Sequence, residues 1–210
     1  MKLPTVWAAI DVETADTFGA DASGKRVLPS HICSLACVVV VGGRIVERWS
    51  QLVRPTVPIS PRATAIHGID DAAVAEAQPF GAAHTRLRTT LSRHRVAALV
   101  AHNAPFDRAV LEAECDRAAM PRTTRPWVDT IDEAKALWPH LARPRGPGYG
   151  LGVLCAELGL EHQHHDALSD ATACALIALA AQHLREAGGE HDMRLARAFC
   201  AGVTARGAWS

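Results

Sequence analysis

The sequence predicts an α/β layer fold, and three of its features carry that prediction. Strand-length runs of β-branched and apolar residues recur at Thr5 to Ile10, Ile32 to Val41 and Val96 to Ala101. Segments with helical spacing stand between and after them, including Leu87 and Leu91 four apart and the apolar stretch Ala171 to Leu184. Gly42-Gly43 separates two strand-like runs in the manner of a two-residue hairpin turn. At 210 residues, 49% of them hydrophobic, the chain can bury a sizeable core. No repeat or linker divides it, so a single domain over 1–210 is expected.

The first strand passes through Val6 to Ile10 and ends in Asp11-Val12-Glu13-Thr14. Side chains two apart on a strand share a face, so Asp11 and Glu13 project together, roughly 6 to 7 Å apart along the backbone. Such a pair either straddles two divalent ions about 3.5 to 4 Å apart or merely solvates a strand end. Ile32 to Val41 and Arg44 to Val53 then form a hairpin around Gly42-Gly43. The segment with Leu87 and Leu91 is a helix leading into the strand Val96 to Ala101, which His102-Asn103-Ala104-Pro105-Phe106-Asp107 follows.

Proline favours the first helical position, so Asn103 or Ala104 caps a helix that holds Asp107 in its first turn. There Asp107 can serve the helix dipole alone. Its place beyond the carboxyl end of a strand, shared with Asp11 and Glu13, is also where open α/β sheets bind ligands. Val128 to Ile131 suggests a fifth strand, with Asp129 capping the next helix or approaching the other carboxylates. In His164-His165-Asp166-Ala167-Leu168-Ser169-Asp170, five helical steps would turn a side chain by about 500°, so His165 and Asp170 cannot share a helical face. His165 therefore lies on the preceding loop, either folded back toward the carboxylates or solvated like its neighbours His162 and His164. Asp170 opens the helix.

Several classes are disfavoured. Met1 to Pro4 leads into no signal-peptide h-region, because Asp11 and Glu13 interrupt the first apolar run. The apolar stretch Ile32 to Val41 is far shorter than the roughly 20 residues of a membrane helix. A cytoplasmic protein is expected. The six cysteines form no C-x-x-C pair and sit mostly in apolar segments, as reduced buried thiols do, and the histidines give no H-E-x-x-H zinc signature. With 22 basic and 22 acidic residues the net charge is zero, so no global field attracts a polyanion. Local candidates to hold one are Arg86, Arg88, Arg93 and Arg95 on one segment and Arg143 and Arg145 in a Gly- and Pro-rich loop.

Four motifs in order, D-x-E-T at Asp11 to Thr14, I-H-G-I at Ile66 to Ile69, H-N-x-x-F-D at His102 to Asp107 and H-x4-D at His165 to Asp170, resemble the DEDDh group of the DEDD 3′-to-5′ exonuclease superfamily. The resemblance spans about residues 5–184, leaving a short helical tail over 185–210. It implies a ribonuclease H-like fold with a mixed five-stranded sheet. It also implies that Asp11, Glu13, Asp107 and Asp170 bind two Mg²⁺ or Mn²⁺ ions, that His165 is the general base, and that Thr14, His67, Asn103 and Phe106 are substrate contacts. The expected activity is hydrolysis from a free 3′ end of DNA, foremost single-stranded, releasing nucleoside 5′-monophosphates. An exoribonuclease acting on RNA 3′ ends is the first alternative, since none of these motifs reads a 2′-hydroxyl. A catalytically silent nucleic-acid-binding module is the second. Two departures from better-known members stand out: the connection Ala15 to Ser30 is lengthened, and the tail after Leu184 suits a stand-alone exonuclease rather than a proofreading subunit.

Overall fold

The computed structural model describes residues 3–16, 31–142, 148–189 and 191–205. Five strands, β1 (Val6–Thr14), β2 (Ile32–Val41), β3 (Arg44–Leu52), β4 (Ala98–Ala101) and β5 (Trp127–Asp129), form one sheet in the order β3-β2-β1-β4-β5. Among the described residues eight α-helices flank it: α1 (Pro61–His67), α2 (Asp71–Val74), α3 (Phe80–Arg93), α4 (Ala104–Arg117), α5 (Thr130–Leu137), α6 (Leu151–Leu158), α7 (Ala167–Ala187) and α8 (Met193–Ala205). β2 pairs antiparallel with β1 and β3, while β4 runs parallel to β1 and β5, so the sheet is mixed, as expected. Gly42 and Gly43 make the β2–β3 turn with φ of 56° and 77°, left-handed values that glycine adopts without steric cost.

β1 lies at the centre of the sheet, and its alternation decides what the site receives. Ala8, Ile10 and Val12 face a core shared with Leu87, Leu91, Val110 and Leu111 of α3 and α4. Trp7 and Ala9 face the other core, built largely on α7. Asp11 and Glu13 continue that second face to the end of the strand, where a register shift between Glu13 and Thr14 interrupts the ladder with β2.

α7 is apolar nearly all round and 21 residues long, enough by length and composition to cross a membrane. Here it is a core helix, packed on β1, β2, α5, α6 and α8. It begins at Ala167, ahead of the apolar stretch, because the Asp166 side chain accepts the Ser169 N–H at 2.8 Å and caps it. A cap of this kind contributes about 1 kcal/mol. The fifth strand likewise ends earlier than expected. Asp129 accepts the Ile131 N–H at 2.9 Å, so Thr130 already belongs to α5. All six cysteines are buried and free.

Candidate functional site

One strand end and two helix starts converge at the C-terminal edge of β1. β1 delivers Asp11 and Glu13, the first turn of α4 delivers Asp107, and the first turn of α7 delivers Asp170. Asp107 is tied directly to β1, because its Oδ1 accepts the Val12 N–H at 3.2 Å. Asp170 is 7% and Asp107 2% exposed, so these carboxyls sit in the wall of the fold rather than on its surface. A cleft of about 270 Å³ opens over the cluster, lined by Asp11, Glu13, Thr14, Ile66, His67, Phe106, His165 and Asp170 together with Val12 and Ala63.

The histidine loop is placed as the helix geometry requires. His165 lies outside α7 with a left-handed φ of 60°, and its backbone N–H donates to Asp170 Oδ2 at 3.3 Å. Donor atoms of Glu13, His165 and Asp170 lie within 4.8 Å of one another. The loop is pinned to α7 by the Gln163 N–H, which donates to Ser169 Oγ at 2.8 Å.

The other predicted contacts separate into wall and scaffold. Thr14 lines the cleft, but its hydroxyl donates to the Asp16 carbonyl at 2.7 Å. Both ring nitrogens of His67 are used internally: Nδ1 accepts the Ile69 N–H at 3.0 Å, which leaves the Nε2 hydrogen to donate to the Thr14 carbonyl at 3.1 Å. His67 thus braces α1 against the end of β1 and shows the cleft only its ring. Gly68, with φ 76°, ends α1 and lets the chain turn back for this contact. Phe106 lines the cleft and packs on the core beneath α4.

Asn103 is exposed, lies outside the cleft lining and adopts φ 70°, while its N–H donates to Asp129 Oδ1 at 3.0 Å. Asp129 therefore holds the β4–α4 turn to α5 as well as capping that helix. The basic candidates are corrected in part. Arg86 stacks on Trp49 at 4.3 Å and donates to the Ser50 carbonyl, and Arg93 pairs with Glu47, so packing against β3 takes both side chains. Arg88 lines a separate hollow between α3 and α4. Arg143 and Arg145 fall outside the described residues, as does nearly all of the lengthened connection after Glu13. Among the described residues, no lysine or arginine lines the cleft.

Two residues to which sequence reasoning gave no role belong here. Ile66, 41% exposed, stands in the cleft wall with Phe106. His162, read as one more loop histidine, donates from Nε2 to Asp170 Oδ1 at 2.5 Å.

The cluster opposes its own ionisation. Burial first, then Asp170, Asp107 and Asp166, push the Glu13 carboxyl up to about 8. Burial, then Asp107, Asp170 and Glu13, raise Asp11 in the same way. Burial also raises Asp107 and Asp170, against the lowering effect of the Val12 N–H on the first and of His162 on the second. Buried carboxylates that repel one another, beside the His165 imidazole, are the oxygen-rich donor set that hard divalent cations take.

One consequence is a pH dependence of stability. Glu13 titrates near 4.5 when unfolded and near 8 when folded, so between these values the unfolded chain has released a proton that the folded chain keeps. Stability then falls as pH rises through that window. His31, His67 and His102, all lowered chiefly by burial, act oppositely below about 6.5, which leaves pH 6.5 to 8 as the clean interval. In EDTA the melting temperature is expected to drop from pH 6.5 to 8, and saturating Mn²⁺ to flatten that slope by replacing the protons. Equal metal-free melting temperatures at both values would contradict a repulsive carboxylate cluster.

Comparison with known proteins follows the same lines. The RNase_T family model, described as exonuclease, matches residues 8–178. Exonuclease X, solved in complex with 5′ overhanging duplex DNA, is 30% identical with a TM-score of 0.59, and the match covers 90% of this chain and 99% of that one. The nuclease domain of 3′hExo, a DEDDh family member bound to rAMP, shares the fold at 17% identity and a TM-score of 0.68, covering 89% of this chain and 94% of that one. A DNA polymerase III PolC-type protein of Streptococcus mutans is 30% identical over 198 residues, which cover 91% of this chain and only 13% of the polymerase's length. The chain belongs to the exonuclease family, and its four acidic residues with His165 stand in the order that defines the DEDDh group.

Proposed function

We propose that this protein is a two-metal-ion 3′-to-5′ exonuclease that shortens DNA from its 3′ end and releases nucleoside 5′-monophosphates. The observation that carries this reading is the convergence of Asp11, Glu13 and Asp170 on one cleft that His165 also lines, with Asp107 buried beside them against the Val12 N–H. The four carboxylates hold the cations, Mg²⁺ or Mn²⁺. Bound there, such ions supply positive charge that lowers the pKa of a water and stabilises the departing 3′ oxygen. His165, exposed on its loop beside Glu13 and Asp170, accepts the water's proton on an imidazole nitrogen. Ile66 and Phe106 offer apolar surface to the terminal base, where aromatic stacking contributes about 1 to 3 kcal/mol. Thr14 and His67 shape the wall behind it, and Asn103 sets the turn that aims α4.

The preference for DNA is supported by the relatives at 30% identity, one a DNA polymerase and the other solved with DNA. A 5′-labelled single-stranded DNA and an RNA of equal sequence, digested with Mg²⁺, test it. A descending ladder on DNA, with little on RNA and little on a 3′-phosphorylated strand, is the expected result. Faster digestion of RNA would overturn the substrate assignment, and cleavage of a closed circular strand would overturn the exonuclease reading itself.

A further inference from the structure

Asp170 is held from two sides, and the tighter hold comes from a residue that no motif places. Its Oδ2 takes the His165 N–H at 3.3 Å, a long contact, whereas its Oδ1 takes His162 Nε2–H at 2.5 Å. The His162 side chain is 4% exposed, while His164 and His165 are exposed. His162 is also absent from the cleft lining, so it reaches the carboxylate from behind. His164 closes over it edge-on, with ring centroids 4.3 Å apart at 71°. Gly152 in α6 leaves the space for that arrangement, since a Cβ there would stand 2.1 Å from His164 Nε2.

We propose that His162 is a positioning residue that fixes the Asp170 carboxylate toward the cleft, acting through Asp170 and touching neither substrate nor water. The need for such a residue is electrostatic. Asp170 shares its surroundings with Asp11, Glu13 and Asp107, each of which pushes a free carboxylate away, and among the described residues His162 supplies its side-chain hydrogen bond. Hydrogen bonds that orient metal-ligating carboxylates typically affect metal affinity by about 10- to 100-fold. This inference rests on the reading of Asp170 as a cation ligand.

The test is calorimetric titration of the metal-depleted full chain with Mn²⁺, paired with kinetics on single-stranded DNA. His162→Phe keeps a planar ring in the slot but removes the donor, and His162→Gln returns an N–H at the same reach. The phenylalanine variant is expected to bind Mn²⁺ about 10- to 100-fold more weakly. Its KM for DNA at saturating Mn²⁺ should stay unchanged, and glutamine should restore most of the affinity. Wild-type Mn²⁺ affinity in the folded phenylalanine variant overturns the proposal, as does failure of glutamine to rescue it. A rate loss that persists at saturating Mn²⁺ and resists rescue makes His162 a proton carrier instead.

Asp170→Asn separates the two levels. If it too binds Mn²⁺ like the wild type, the ligand reading fails. If it loses affinity while His162→Phe does not, only the positioning role falls. A measurement on the unaltered protein covers the case of a variant that does not fold. The Nε2–H of His162, bonded and shielded, should give a slowly exchanging ¹⁵N–¹H signal that shifts on Mg²⁺ addition, and absence of either property overturns the proposal.

Discussion

Asparagine in place of Asp107 is expected to abolish turnover and leave the fold standing. The backbone contact survives the change, because an amide oxygen accepts the Val12 N–H as the carboxylate does. Burial already disfavours the charged form of this side chain, with Asp129 and Asp170 adding to the penalty, so neutralising it removes repulsion from the metal-free protein. The melting temperature in EDTA at pH 8 should be equal to or above that of the wild type. Catalysis has no such compensation. Charge stabilisation by bound cations is worth several kcal/mol at the transition state, so losing a ligand costs on the order of 10³-fold in rate at about 1.4 kcal/mol per decade. Asp11→Asn should behave alike, since burial and then Asp107, Asp170 and Glu13 raise it. Mg²⁺-dependent digestion of single-stranded DNA measures the rate, and near-wild-type turnover in either folded variant would sink the site assignment.

β2 and β4 were legible as short apolar runs, and β3 from the glycine turn that pairs it with β2. β2 occupies the span that its composition marks, Ile32 to Val41, and the Gly42-Gly43 turn sets the register of the hairpin. The carboxylates were legible for a different reason. Two-residue spacing on β1 and helix-start positions on α4 and α7 fix where those side chains emerge, whatever packs around them. Side chains whose destination depends on tertiary contacts were not. Arg86 and Arg93 read as a basic stripe, yet the packing of α3 on β3 sends one to Trp49 and the other to Glu47. His67 reads as a substrate contact until the path of α1 brings its ring to the Thr14 carbonyl. His162 is the plainest case. Eight residues before Asp170, outside any periodic element, it has no spacing rule that would set its ring apart from those of His164 and His165.

Those three histidines can be told apart by experiment. His165→Ala is expected to lose roughly 10²- to 10⁴-fold in rate, the usual contribution of a positioned general base. His164→Ala should lose little, because its ring is exposed and absent from the cleft lining, lying edge-on to His162 and tilted against His165. The left-handed backbone at position 165 complicates the alanine variant, since a side chain change there also alters loop strain. His165→Asn answers this, because asparagine tolerates φ near 60° and cannot take up the proton. Equal losses in the alanine and asparagine variants assign the effect to the imidazole rather than to the loop. Calorimetry then decides what the imidazole does. His165 reaches within 4.8 Å of the donor atoms of Glu13 and Asp170, close enough to share a cation with them. If it is the base, Mn²⁺ binding survives in both variants while turnover collapses. Should affinity and rate fall together, His165 is a ligand and the proton goes elsewhere. If His164→Ala is the damaging change and His165→Ala nearly silent, the loop register is wrong, although the carboxylate cluster would still stand.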